Sequence, residues 1–263
     1  MIVAGACVQG TAHLAAAQGC QDAFKAVDLG GAAVLAVSDG AGSRERSALG
    51  AHVAVDAACR VLVQDLPDAG AAPERWTRWI AGRGQRVVEA YLRAVAGVLA
   101  ADTDAAPPGR TPPDPGALAA TLTAAVVAPP WVAFVSVGDG FAALLTRDDR
   151  GHLVLPPPAG PAPFLSSPGA AQRVRTFTVW EPELGGVFLA TDGLAALALD
   201  HPSVHGLPPE AGPLPAAGFF AGVAASLRAS GGDAEPLRRL LSGPDAARTG
   251  DDLTLLCALA GEG

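Results

Sequence analysis

The sequence predicts an α+β fold on antiparallel sheets, and three observations carry that prediction. Short apolar runs bounded by glycine or turn residues recur in both halves of the chain. Segments with apolar residues at helical spacing come in two blocks, one after the first strands and one in the last quarter. Regular strand–helix–strand alternation, the mark of a parallel sheet, does not occur.

Taken in order, Val3 to Val8 and Ala32 to Val37 read as buried strands, the second running directly into Ser38-Asp39-Gly40. From Ser47 to Leu66 the residues Val53, Ala57, Val61 and Leu62 repeat at helical spacing, and Ser47 is placed to cap the start. A second helix starts at Pro73 and passes through Trp76, Ile80, Val87, Tyr91 and Val95 toward Leu99, with Gly82 and Gly84 as points of interruption. Asp102 to Gly116 is so rich in proline and glycine that it predicts an exposed loop. Leu122 to Val127, Val132 to Val137 and Phe141 to Thr146 then resemble an antiparallel meander.

A second proline-rich loop starts at Pro156, followed by strands near Val174 to Val179 and Val187 to Ala190. Helices near Ala216 to Arg228 and Ala234 to Leu241 precede a final strand after Asp251-Asp252. No repeat of fixed period appears, and the proline-rich loops interrupt a core without dividing it, so residues 1–263 are expected to form one domain.

Composition narrows the function. Half of the 263 residues are hydrophobic, many of them alanine, which allows a large core filled by small side chains. A net charge of -8 argues against a general nucleic-acid binder, which needs clustered Lys and Arg, and suits cation binding. The four cysteines are scattered without zinc-ligand spacing and are expected to be small buried hydrophobes without disulfides. The N-terminus lacks a basic signal-peptide region, and Pro129-Pro130 interrupts the longest apolar tract. A cytoplasmic protein with no membrane span is therefore expected.

The chemistry sits at strand ends. Asp39 follows AAVLAVS, Asp192 follows VFLAT, and Asp251 stands just before LTLLCALA. A strand end fixes the backbone, and a following glycine lets a cation or phosphate come close, which suits oxygen-ligated Mg²⁺ or Mn²⁺. Clustered carboxylates stay ionised together only when a cation offsets their repulsion. Each Asp-Gly alone would be an ordinary turn. The ordered set Gln21-Asp22, AVSDGAGS, VGDG, LATDGL and GDDLTLL is more specific.

That set resembles the protein phosphatase type 2C family, metal-dependent phosphatases of phosphoserine and phosphothreonine, over nearly the whole chain. It is most similar to a bacterial branch whose first motif reads G-x-x-H followed by Q-D-A-F, matched by Gly10, His13 and Gln21-Asp22-Ala23-Phe24. The resemblance implies a four-layer αββα sandwich of two antiparallel sheets flanked by helices, with the metals at one end. It implies that Asp39 bridges two Mn²⁺ or Mg²⁺ ions, that Gly40 ligates through its carbonyl, and that Asp192 and Asp251 complete the site. Asp22 would act mainly through water, and Asp139 would help hold a third, weaker ion. Asp252 stands where asparagine is usual. The implied reaction is direct hydrolysis of a phosphorylated protein by a metal-activated water, in bacterial signalling opposite a serine/threonine kinase.

The match has gaps. Relatives often carry a phosphate-holding arginine five residues before the first aspartate, and Ala17 stands there. His13 is the nearest replacement in sequence for a phosphate contact, against the alternative of a structural histidine. Arg44 and Arg46 flank the SDGAGS loop and could attract phosphorylated segments, against the plainer assignment of a solvated loop face. Ala41 occupies the position where haloacid dehalogenase phosphatases need their second aspartate, which argues against that class, as does the lack of regular strand–helix alternation. The remaining competitor is a pseudophosphatase that binds without cleaving.

Overall fold

The computed structural model describes residues 1–105 and 114–261, with 102–105 described by backbone alone. The chain runs β1 (Ile2–Val8), α1 (Thr11–Ala15), β2 (Ala23–Asp28), β3 (Ala33–Ser38), α2 (Ser47–Leu62), α3 (Pro73–Ala105), β4 (Leu122–Ala128), β5 (Trp131–Val137) and β6 (Phe141–Thr146). It continues through β7 (Gly151–Leu155), β8 (Arg175–Trp180), β9 (Leu184–Ala190), α4 (Ala195–Ala198), β10 (Leu199–Asp200) and β11 (Leu214–Pro215). The chain then forms α5 (Phe219–Ala229), α6 (Glu235–Leu241), α7 (Pro244–Ala247) and β12 (Leu253–Leu259). Two five-stranded antiparallel sheets result, ordered β1-β12-β9-β6-β7 and β2-β3-β4-β5-β8.

The two-residue period of each strand sorts its side chains into layers. Val34 and Ala36 of β3 pack under α2 and α3, whereas Ala33, Leu35 and Val37 face the other sheet. On β12, Leu253, Leu255, Cys257 and Leu259 pack under α5 and α6, and Leu256 and Ala258 point between the sheets. Helix, sheet, sheet and helix therefore stack as an α+β sandwich with three apolar interlayers. Strands covered on both faces are buried along their whole length, which is why β3, β4, β5, β9 and β12 read as unbroken apolar runs. Leu35 is fully buried between the sheets, and truncating it to alanine would cost about 3 kcal/mol.

Helix α3 buries Trp76, Ile80, Val87, Tyr91, Val95 and Leu99, a single face at three- to four-residue spacing. Trp76 stacks on Trp131 of β5 with centroids 5.8 Å apart, and the Tyr91 hydroxyl donates to the Leu118 carbonyl. Gly82 and Gly84 do not interrupt this helix. Gly84 is the point where it meets β8, since a Cβ there would lie 2.6 Å from Thr176 Cγ2. The helix runs past Leu99, so the predicted loop is helical as far as Ala105, and residues 106–113 of that loop lie outside the described residues. Helix α2 ends at Leu62, short of Leu66. Ser47 does not cap it: Ser47 lies in its first turn and its Oγ donates to the Arg44 carbonyl at 3.1 Å.

The expected meander is also corrected. Strands β4 and β5 pair through the turn at Pro129-Pro130, but β6 crosses to the other sheet and pairs β9 and β7. Gly138, at φ +117, turns the chain out of the first sheet, where a Cβ would meet Thr121 Cβ at 2.5 Å. Strands β2 and β7 and the short α1 were not foreseen, because AFKAVD and GHLVL are half-exposed edges with weak apolar content. Among the described residues, no helix is long and apolar enough to cross a membrane.

Candidate functional site

The register of the two sheets brings the acidic motifs together. In one sheet β2 begins where β3 ends, Ala23 opposite Ser38, which sets Asp22 beside Asp39. Thr123 pairs with both Val37 and Ser136, so Thr121 and Gly138 come to the same end. In the other sheet Ala190 pairs with both Phe141 and Leu255, which brings the residues after β9, before β6 and before β12 to one end. The link Gly138-Asp139-Gly140 joins the sheets, so the two ends coincide. Asp22, Asp39, Asp139, Asp192 and Asp251 thereby share one rim of the sandwich.

Hydrogen bonds across the sheets lock this rim. Asp22 is buried, and its Oδ2 accepts from Thr191 Oγ1 at 2.8 Å and Thr254 Oγ1 at 2.7 Å, both on the opposite sheet. Asp39 exchanges main-chain contacts with Thr121: its N–H donates to Thr121 Oγ1 at 3.0 Å, and its carbonyl accepts from the Thr121 N–H at 2.8 Å. The motif glycines are filled positions. A Cβ at Gly40 would meet the Ser47 backbone at 2.6 Å, and one at Gly193 would meet the Asp252 carbonyl oxygen at 2.2 Å. They permit close backbone packing around the site and leave no open approach to the Cα.

The electrostatics are those of crowded acids, with Asp22 buried, Asp39, Asp139 and Asp192 half-buried and Asp251 exposed. Burial first, and then the charges of Asp22, Asp192 and Asp251, push the Asp39 carboxyl up to about 10. Burial raises Asp22 to about 7 even though its two threonine donors oppose the shift. Asp192 rises to about 6 through burial and the charges of Asp139 and Asp251. Asp139 is also raised, mainly by burial, while the Arg175 guanidinium pulls the other way. The Oδ1 of Asp139 is buried without a hydrogen-bond partner. Among the described residues, no three His, Cys, Asp or Glu side chains are gathered as tightly as a bound metal ion requires. The donor set nonetheless fits a hard divalent cation: it is all oxygen, mutually repelling, and includes an unpartnered carboxylate oxygen.

Asp252 has a different task. It is buried beside these acids, yet its Oδ1 accepts from the Gly10 N–H at 2.7 Å and its Oδ2 from the Gln21 N–H at 2.6 Å. Burial alone would raise its carboxyl, but the Gln21 and Gly10 donors and His13 outweigh it and hold Asp252 below the usual carboxylate range. His13, on α1, sits with Nδ1 2.9 Å from Asp252 Oδ1, an electrostatic contact out of line for a hydrogen bond. The structure thus places His13 of α1 against Asp252, which also holds the loop that carries Asp22. Ala17, where relatives hold phosphate, is an exposed residue at φ 54 after α1.

Gln18, Gln21, Gly42, Ser43, Arg44 and Glu45 are among the residues lining a cavity of about 530 Å³ between the segments that lead into Asp22 and follow Asp39. Gln21 Oε1 is buried there without a partner. Arg175 of β8 donates to Ser136 Oγ at 3.1 Å and to the Gly138 carbonyl at 3.2 Å, steadying the loop of Asp139. Sequence reasoning missed Thr191, Thr254 and Arg175. The threonines lie inside the LATDGL and DDLTLL motifs and could have been found as donors next to the acids; Arg175 carries no local signal.

Comparison with known proteins agrees with this architecture. Similar solved structures include the catalytic domain of the serine/threonine protein phosphatase PstP in complex with two manganese ions, at 18% identity and TM-score 0.53, covering 99% of this chain and 100% of that one. The serine/threonine phosphatase Stp1 from Staphylococcus aureus matches at 12% identity and TM-score 0.55, over 100% and 96%. RsbX in complex with magnesium matches at 16% identity and TM-score 0.52, over 97% and 94%. At these identities the likeness establishes the fold. A search of curated protein sequences finds no match. The family model described as protein phosphatase 2C matches residues 9–242, most of the chain and all but the last of its acidic motifs, and the chain belongs to that family.

Proposed function

We propose that this protein is a metal-dependent phosphatase that hydrolyses phosphoserine and phosphothreonine in proteins. The observation that carries the reading is the shared rim of Asp22, Asp39, Asp139, Asp192 and Asp251, where neighbouring carboxylates push the Asp39 and Asp192 carboxyls up. Asp39, the Gly40 carbonyl, Asp192 and Asp251 would hold two Mn²⁺ or Mg²⁺ ions, with Asp22 contributing through water and Asp139 toward a third. Such ions, when bound, supply charge compensation and activation of water.

The chain's own residues do the positioning. Thr191 and Thr254 orient Asp22, leaving its second oxygen for other partners. Asp252 closes the loop between Gly10 and Gln21, and Arg175 holds the Asp139 turn. The cavity lined by Arg44, Ser43 and Glu45 would receive the segment around a phosphorylated side chain. His13, held against Asp252, would act on phosphate only through movement of its loop. A cytoplasmic location and a role opposite a serine/threonine kinase complete the proposal, by analogy with the family.

The test is hydrolysis of p-nitrophenyl phosphate and a phosphothreonine peptide with Mn²⁺, with Mg²⁺, with chelator, and by Asp192→Ala. Hydrolysis that needs the metal and vanishes in the variant is the expected result. The absence of arginine at position 17 favours a second reading, a pseudophosphatase. Folded protein that binds Mn²⁺ but hydrolyses neither substrate would establish it.

A further inference from the structure

Two of the four cysteines depart from the buried, inert thiols the sequence suggests. Cys59 and Cys257 are buried, but Cys7 of β1 and Cys20, two residues before Asp22, are only partly covered. Their Sγ atoms lie 3.2 Å apart. A disulfide requires about 2.05 Å between sulfurs, so an approach of ~1 Å joins them. Both thiols also face one backbone group, the Asp22 carbonyl, at 3.9 Å from Cys7 and 4.0 Å from Cys20.

The surroundings tie this pair to the acidic rim. Cys7 stands opposite Thr254 in the β1–β12 register, and Thr254 donates to the Asp22 carboxylate. The segment between the two cysteines contains Gly10 and His13, both held by Asp252, and the Gln9 side chain donates to the Gln18 carbonyl. The loop is already drawn closed at its base, which lowers the chain entropy lost when the sulfurs join.

We propose that Cys7 and Cys20 form a reversible dithiol–disulfide pair, a redox modification site whose closure shifts the backbone that carries Asp22. With hydrogen peroxide as oxidant, one thiol becomes a sulfenic acid with release of one water, and the other sulfur displaces the sulfenic oxygen as a second water. Two electrons pass from the sulfurs to the peroxide, and a small-molecule dithiol restores both thiols by exchange. Closure pulls Cys20 toward β1 and displaces Gln21-Asp22, so it weakens cation binding at the rim at least threefold. This consequence rests on the reading of Asp22 as a cation-holding residue; the modification does not.

The experiment treats the dilute full-length chain with hydrogen peroxide or oxidised glutathione, alkylates free thiols and digests with trypsin. No Lys or Arg precedes Lys25, so both cysteines fall in the peptide of residues 1–25. That peptide should be lighter by two hydrogens and resist alkylation, and dithiothreitol should restore it. Cys20→Ser and, separately, Cys7→Ala should each abolish the change. Two alkylated thiols, or a separate glutathione adduct on each, would overturn the proposal. A Mn²⁺ titration of oxidised and reduced protein, read by thermal shift, tests the consequence. Equal affinity in the two states would sink the coupling, and an absence of Mn²⁺ binding in both would refute the metal reading while the mapped disulfide stood.

Discussion

Asp252 and Asp39 lie at the same end of the sandwich, and their environments drive them in opposite directions. Asp252 is clasped by two backbone N–H groups and His13 and stays ionised. Asp39 faces Asp22, Asp192 and Asp251 and is pushed up to about 10. Burial alone does not separate them; the donors do. A buried acid with its hydrogen bonds satisfied is part of the scaffold, whereas a set of acids facing one another awaits a counter-charge. The contrast is drawn between neighbouring loops, so substitutions can break it cleanly.

The largest effect is expected from the crowded side. Asp192→Ala should lower metal-dependent hydrolysis more than 100-fold, roughly the upper range seen when the support of a metal site is removed, and should abolish stabilisation by Mn²⁺. Steady-state kinetics and thermal shifts with and without Mn²⁺ check both. An active variant would remove Asp192 from the site.

The scaffold side should respond in stability. Asp252→Ala leaves the Gly10 and Gln21 N–H groups buried without acceptors and should cost about 3 kcal/mol of unfolding free energy, measured in urea. Asp39→Asn removes a carboxyl that must take up a proton when the metal-free chain folds at neutral pH, and should leave stability unchanged or raise it by about 1 kcal/mol. Equal losses in the two variants would erase the distinction.

Protonation sharpens the same contrast. An acid whose folded pKa is raised binds protons more tightly when folded, so its stabilising contribution is full below about pH 4 and is lost as pH climbs through the folded value. In chelator, the melting temperature should therefore fall as pH rises through about 6 and about 7, where Asp192 and Asp22 ionise, and should keep falling toward Asp39 at about 10. Asp252 carries the opposite sign: its stabilisation is present above about pH 4 and fades only as pH falls below it. Asp39→Asn should flatten the alkaline decline. A melting temperature that rose with pH in chelator would contradict the raised values.

Much of the fold was legible because double-sided burial leaves unbroken apolar strands, and because α3 keeps one apolar face from Trp76 to Leu99. Edge strands β2 and β7, wetted on one side, gave too weak a signal. The path of β6 was hidden because it depends on one glycine at positive φ packed against Thr121, where any Cβ would clash. The acids were visible as strand-end motifs. Their sorting was not, because whether Asp252 serves as clasp or ligand depends on N–H groups 231 and 242 residues away in sequence. Cys7 and Cys20 meet by the same logic, since β1 pairs with β12 and Asp252, just before β12, accepts from the Gln21 N–H of the loop that carries Cys20.

The smallest effect should come from Arg44, an exposed residue that lines the cavity formed by the 18–21 and 42–48 segments. Arg44→Ala removes an exposed charge whose use begins when a phosphorylated partner arrives, so folding stability should not change. An arginine–phosphate contact formed in partial solvent is worth about 1 kcal/mol, which predicts a KM for a phosphothreonine peptide roughly fivefold higher at unchanged kcat. For p-nitrophenyl phosphate, which lacks flanking residues to seat in the cavity, the increase should be smaller. Equal increases for the two substrates would place Arg44 on the phosphate itself, in the role left open by Ala17, while no increase for either would leave it on the solvated face of its loop.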